Sequence, residues 1–403
     1  MTAAGRVFAH VGQAFDSGCY DFAVVGGGRM GLAAAFYLKR FAPRARVLVV
    51  ERGGIPSEDG ATLRARGVWH QVGLPPSLRP RARWVRKVWR DPAAETGTVR
   101  PHDPRFQEVG WAGLLREDEQ DEQAAEPGDL DVLSPKAFLA RLPPRAQAQV
   151  LALTDFPRVR RVMFDSLGGY GNASTLALAY GYGAVRLGAD LLLNAEARLT
   201  SQGLNVRRLD ITNRMEVVVA REVGVTAGHV VVAAGSEGPE LLERDLGLAT
   251  PCEKAYAQFP HLSLSPVPGL PLLSFAGFAL RPEGGGFRVL PPTEGADPPG
   301  YVPRGAKLNG VPTGTRREVL RALLGALDDW PAFGEAGLDL GKTVFDLPGA
   351  WEARPPGGWP LWQRISEHVS LLLGGPEADR LGPAAALDLA ATLTNVLERP
   401  WQG

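Results

Sequence analysis

The 403-residue chain has only two cysteines, Cys19 and Cys252. Two thiols cannot make a disulfide framework, and so low a count fits a reducing, cytoplasmic compartment. Its six histidines, His10, His70, His102, His229, His261 and His368, are scattered without metal-ligand spacing, so no metal site is expected. There is no charge excess: 44 basic residues face 44 acidic ones, which gives no reason to expect nucleic acid or an anionic membrane as the main partner. No window reaches the roughly 18 uncharged apolar residues of a membrane span. Residues 1–20 lack the continuous apolar stretch of an export signal, and they read as a leader, a surface helix or a frayed arm.

What is present is organised around residues 21–52, DFAVVGGGRMGLAAAFYLKRFAPRARVLVVER. Phe22–Val25 is an apolar strand that ends in glycines. Gly31–Phe41 is a small-residue helix stopped by Pro43, and Arg46–Val50 is a second buried strand. Gly26, Gly28 and Gly31 fall in the G-x-G-x-x-G spacing at the turn. Gly26 permits the sharp turn, Gly28 lets a pyrophosphate approach the backbone, and Gly31 lets the helix pack closely on the strand. The free N–H groups and dipole of the helix start favour an anion there. Glu51, 20 positions after Gly31, stands where an acceptor for ribose hydroxyls is expected. An acid there argues against a 2′-phosphorylated nucleotide, but the stretch alone does not separate FAD from NAD.

The length implies two domains or one with a large insertion. After Glu51, the passage Gly53–Gly73 contains GATLRARG at Gly60–Gly67, a loop placed to run beside a cofactor. Residues 78–90 interleave Arg79, Arg81, Arg83, Arg86, Lys87 and Arg90 with Trp84 and Trp89. With no net charge on the chain, this reads as a solvated basic helix rather than a nucleic-acid patch. Residues 116–131 are acidic, low in complexity and read as an exposed loop. Ser134 and Pro135 start a helix that Pro143 and Pro144 interrupt and Ala146–Leu153 resumes. Asn172–Leu187 is a helix and Ala189–Leu193 a strand. Leu204–Leu209 and Met215–Ala220 form a hairpin, and His229–Ala234 is a buried strand that runs into Gly235.

From Pro251 to Val302, short alternating runs (Leu270–Phe275, Phe278–Leu280, Phe287–Leu290) separated by Pro and Gly suggest an antiparallel sheet and a second domain. Thr315–Leu327 is a helix capped by Thr313 or Thr315, and Thr343–Phe345 returns to the sheet. Val369–Leu373 is a last apolar strand ending at Gly374 and Gly375, before a terminal helix at Pro383–Leu397. The expected fold is α/β plus an antiparallel sheet. A Rossmann-type nucleotide domain comprises 21–75, 134–250 and 362–400, and a mostly antiparallel β substrate domain comprises 76–133 and 251–361.

In this order the motifs resemble the FAD-dependent D-amino acid oxidase, glycine oxidase and sarcosine oxidase family over most of residues 21–399. VVGGGRMGLAAAFYL with VVER is similar to its FAD-binding start, and GATLRARG to the loop beside the flavin. LGADLLLNAEARL is similar to the strand that holds the adenine, HVVVAAGSEGPEL to the second glycine strand, and Val369–Leu393 to the closing strand and helix. The resemblance implies FAD contacts at Gly26, Gly28, Arg29, Met30, Glu51, Arg52, Ala61, Thr62, Ala197, Ala234, Gly235 and Gly375. Some relatives attach FAD through a histidine in this loop. Arg64 holds that place here, which implies non-covalent FAD, with His70 the nearest histidine.

GAKL at Gly305–Leu308 resembles the segment whose lysine promotes reaction of reduced flavin with oxygen, which implies that role for Lys307. WEARPPGGWP at Trp351–Pro360 resembles the segment whose arginine binds the substrate carboxylate, which implies that role for Arg354. The Pro355, Pro356 and Gly357 that follow depart from the family's Thr and Asp, and GGPEADRLGPA departs from its pattern after the last strand. The activity implied is an amine or amino-acid oxidase: a hydride passes from a substrate C–H to the flavin and oxygen reoxidises it to hydrogen peroxide, with no catalytic triad needed. Two alternatives share the fold: an FAD dehydrogenase with a non-oxygen acceptor, and a degenerate flavin-binding interaction protein.

Overall fold

The apolar run before the glycine turn is the end of a longer strand, β2 (Gly18–Val25), in a computed structural model. The structure describes residues 4–57, 60–98, 103–116, 130–292, 307–308, 311–312, 317–335, 338–339 and 349–402. After the turn come α1 (Arg29–Phe41) and β3 (Val47–Val50), and β3 pairs with β2 in parallel from Phe22 opposite Val47 to Val25 opposite Val50. On its other side β2 pairs in parallel with a long strand, Val217–Val232. This is a strand–helix–strand unit at the centre of a mixed, mostly parallel sheet.

Alternation along these strands places the two cores. Val24, Val49, Val231 and Leu372 point to the face covered by α1, the helix Ala173–Arg186 and the terminal helix Ala378–Leu393. Val25, Val50, Val232 and Leu371 point to the opposite face, under the helix Gly238–Leu246. Buried on both faces, such strands read as continuous apolar runs. Each fully buried Val or Leu contributes roughly 1.5–3 kcal/mol.

Among the described residues the second sheet orders as Leu338–Asp339, His261–Leu262, Gly286–Leu290, Phe278–Glu283, Leu272–Phe275, Trp111–Leu115, Arg161–Asp165 and Asp131–Leu133. It is antiparallel except where Leu272–Phe275 runs parallel to Trp111–Leu115. One face carries the core of Phe138, Val150, Phe275 and Trp330. The other, with Trp111, Leu272 and Leu290, turns toward the loop that follows β3. Helices start where their caps allow: Ser134 Oγ accepts from Ala137 N–H at 3.2 Å, and Asn172 Oδ1 accepts from Ser174 N–H at 2.9 Å.

The structure corrects several expectations. Residues 4–20 are not a frayed arm: β1 (Val7–Phe8) pairs in parallel with Asp190–Leu192, and Phe8, Phe15 and Tyr20 are buried. Buried Arg208 donates to the His10 carbonyl at 2.7 Å, and Asn194 to the Ala9 carbonyl at 2.9 Å. The basic helix α2 (Arg79–Arg90) is solvated on one side only. Ala82, Trp84, Val85, Val88 and Trp89 are buried against the terminal helix and its neighbours. Of the two strands expected at Met215–Ala220 and His229–Ala234, residues 217–220 and 229–232 belong to one continuous strand, Val217–Val232. Its first half pairs with Gly203–Ile211 and its second half with β2 and Val369–Leu373. Residues 134–165, expected with the nucleotide sheet, pair and pack with the second sheet. The terminal helix begins at Ala378, five residues before Pro383, which sits inside it. Residues 117–129 of the acidic stretch, the caps Thr313 and Thr315, and Thr343–Phe345 lie outside the described residues.

Candidate active site

The glycine turn has the geometry its spacing predicts. Gly26 has φ +110°, and a Cβ there would stand 2.5 Å from the Ala233 carbonyl oxygen. A Cβ on Gly31 would come within 2.0 Å of the Gly26 carbonyl oxygen, so only glycine lets α1 approach β2 this closely. Gly28 is the N-cap of α1 and has no side chain to satisfy the helix N–H groups. The Thr62 hydroxyl, from the GATLRARG loop, takes the Arg29 N–H at 3.0 Å. The rest of that helix start faces a cavity.

Glu51 closes the turn. Its carboxylate accepts from Gly27 N–H at 2.6 Å through one oxygen and from Gly53 N–H at 2.8 Å through the other. A carboxylate has about four lone-pair sites, so Glu51 retains capacity for hydroxyl groups. The cavity that Glu51 lines measures about 460 Å³. Gly26, Gly28, Arg29, Met30, Glu51, Arg52, Ala61, Thr62, Ala197, Ala234, Gly235 and Gly375 all line it, although they come from separate stretches of the chain. Arg52 also makes a bidentate ion pair with Glu237 at 2.8 Å on the rim. A cavity of this size lined by an acid, an uncapped helix start and the glycine turn fits a dinucleotide.

A second cavity of about 400 Å³ lies between the second sheet, the loop after Gly60 and the start of the terminal helix. Most of its wall is apolar, with Trp111, Leu114, Phe275 and Leu290. Its charged groups are Arg66, Glu377 and Arg380, and His70 is stacked on Trp111 with ring centroids 3.7 Å apart. Burial first, and then neighbouring Arg380, hold the His70 imidazole well below its usual range, so the ring is neutral. Arg380 lies 3.3 Å from His70 Nδ1, and a guanidinium only donates, so Nδ1 is the accepting nitrogen. Arg380 also donates to the Val72 carbonyl at 2.7 Å and pairs with Glu377.

Arg66 links the two cavities. It lines the second, and its Nη2 is 3.5 Å from the Oε2 of Glu352, which lines the first. Its backbone is clamped: the Arg66 carbonyl accepts from Arg281 at 2.5 Å, and the Ala65 carbonyl accepts from Arg288 at 3.0 Å. Its Nε is buried without a protein partner. Arg66, Trp111, Glu377 and Arg380, none of them among the predicted site residues, converge from three distant segments.

Of the two residues singled out for chemistry, only Arg354 has a described side chain. Arg354 ends the strand Ala350–Arg354, stands opposite Glu253 in an antiparallel pair, and is absent from the lining of both cavities. Lys307 falls in the two-residue strand Lys307–Leu308, and its side chain lies outside the described residues.

Residues 21–361 match the family model described as FAD dependent oxidoreductase, DAO. No curated protein matches the sequence. Among solved structures, glycine oxidase from Geobacillus kaustophilus is similar with a TM-score of 0.66 at 21% identity, covering 95% of this chain and 96% of that one. L-proline dehydrogenase from P. horikoshii is similar with a TM-score of 0.68 at 19% identity, covering 96% of each. L-amino acid deaminase from Proteus vulgaris is similar with a TM-score of 0.66 at 16% identity, covering 98% of this chain and 97% of that one. Among the described residues no helix is long and apolar enough to cross a membrane.

Proposed function

Because this chain belongs to the DAO family of FAD-dependent oxidoreductases, we propose that it oxidises a free amino acid with an apolar side chain. In this reading FAD fills the cavity at Glu51 and the helix start, without a covalent bond, and the substrate fills the second cavity. The observation that carries it is the adjacency of the two cavities through Arg66, Glu352 and the pair Gly375–Pro376. When bound, FAD supplies a two-electron acceptor for the hydride of a C–H bond beside an amine nitrogen. The protein supplies position, a water-poor pocket and charge.

Arg66 replaces Arg354 as the proposed carboxylate anchor, because Arg66 lines the second cavity and Arg354 does not. Its donors suit bidentate recognition of a carboxylate. Arg380 is paired with Glu377 and Arg66 with Glu352 at 3.5 Å, so a substrate carboxylate would share the Arg66 donors with Glu352. The whole cavity, about 400 Å³, is larger than glycine needs, and its largely apolar wall suits a bulky aliphatic or aromatic side chain.

For the acceptor, the proposal is oxygen, supported by the likeness of GAKL at Lys307 to the oxygen-activating segment. Reduced protein should reoxidise rapidly in air and slow at least tenfold in Lys307→Met, the usual scale for loss of a positioned charge. Slow reoxidation of the unaltered protein, with fast turnover on a quinone, would instead make it a dehydrogenase.

A further inference from the structure

Asp379, the second residue of the terminal helix, is 2% exposed, and its carboxylate is shared between two distant segments. One oxygen is paired with the Arg29 guanidinium, and the other accepts the Gly67 N–H at 2.7 Å. Arg29 lines the FAD cavity, while Glu377 and Arg380, on either side of Asp379 in sequence, line the second cavity. This buried ion pair therefore lies between residues that line the two cavities.

We propose that Arg29 and Asp379 bias the reduction potential of the bound cofactor in opposite senses, with Asp379 also the positioning residue that holds Arg29 between the two cavities. The inference rests on the functional reading above: if substrate occupies the second cavity, the reacting end of the cofactor has to reach this junction. In that reaction a substrate C–H bond breaks and its electron pair leaves with the hydrogen. The amine nitrogen lone pair forms the C=N bond, and the cofactor gains two electrons. Reduction therefore adds negative charge at the junction. A guanidinium there favours the reduced form and a carboxylate opposes it, and burial keeps both effects from being screened as they are in water. The wild-type pair nearly cancels.

Removing either partner should therefore shift the potential in opposite directions, which a merely structural role would not do. The test is equilibrium reduction of the purified holoprotein against a reference dye. Arg29→Gln should lower the midpoint potential, and Asp379→Asn should raise it. Each shift should be at least a tenfold change in the reduction equilibrium, about 30 mV for a two-electron couple. The double variant should return toward the wild-type value. Should Asp379→Asn fail to fold, Arg29→Lys against Arg29→Gln decides: the lysine should keep the wild-type potential and the glutamine should not. Flavin-loaded variants whose potentials do not move, or move in the same direction, would overturn this inference alone. Wild-type protein that holds no FAD after reconstitution would overturn it together with the functional reading.

Discussion

The indole N–H of Trp89 donates to the main-chain carbonyl of Asp379 at 2.8 Å, and both groups are buried. Asp379 lies four residues before Pro383, which has no N–H to give that carbonyl. Trp89 supplies the missing donor from α2, so a proline inside the terminal helix is tolerated and α2 is fixed against it. Trp89→Phe keeps the ring but strands a buried acceptor, which costs about 1–3 kcal/mol. In a Pro383→Ala background the new N–H can take the carbonyl, so the cost should shrink. Urea unfolding of the four proteins measures both numbers; equal costs in the two backgrounds would show that the bond does not compensate for the proline.

Gly31→Ala should be among the most damaging single-methyl changes in the chain. Its Cβ would meet the Gly26 carbonyl oxygen, a backbone atom, at 2.0 Å, with no flexible side chain to yield. A loss of about 1–3 kcal/mol from overpacking is expected. The larger effect should be on the flavin-to-protein ratio after purification, because the shift displaces the helix start from the cavity. A normal ratio would mean that the turn does not set the cofactor site.

Arg66→Met should weaken binding of a non-oxidisable carboxylate by about 10- to 100-fold, the value of a charge-assisted hydrogen bond. Binding is read from perturbation of the bound flavin's absorption. Arg354→Met should change it less than threefold, since Arg354 reaches neither cavity. The reverse ranking would restore the assignment that the WEARPPGGWP segment implies.

His229 gives a pH signature. It lies between β2 and Val369–Leu373, with its Nε2 2.9 Å from the Ser370 hydroxyl. Burial first, and then Arg364, lower its pKa from 6.5 to about 4. The folded state resists a proton that the unfolded state accepts, so this contribution is full above pH 6.5 and is lost as pH falls toward 4. The loss should approach about 3 kcal/mol at the acid end. His229→Gln should flatten the stability curve across that window, and an unchanged slope would assign the acid sensitivity to other groups.

The central unit was legible because its constraints are local. β2 and β3 are buried on both faces and read as apolar runs, and the three glycines sit where the turn, the phosphate and the helix packing need them. Trp84 and Trp89 were misread because the arginines around them mask a 3- to 4-residue apolar spacing through Ala82, Val85 and Trp89. The Arg29–Asp379 pair could not be read at all, because its partners are 350 residues apart and each alone looks like a surface charge. The second cavity was hidden for the same reason. His70, Trp111 and Arg380 meet only when the sheet, the loop and the terminal helix pack together.

The measurement that bears most directly on the account is the visible spectrum of the FAD-loaded protein, recorded without oxygen as free amino acids with apolar side chains are added. The expected result is a two-banded flavin spectrum that at least one of them bleaches and that the matching decarboxylated amine bleaches far more slowly. A bound flavin that no amino acid bleaches, or that amine and amino acid bleach equally, would contradict it.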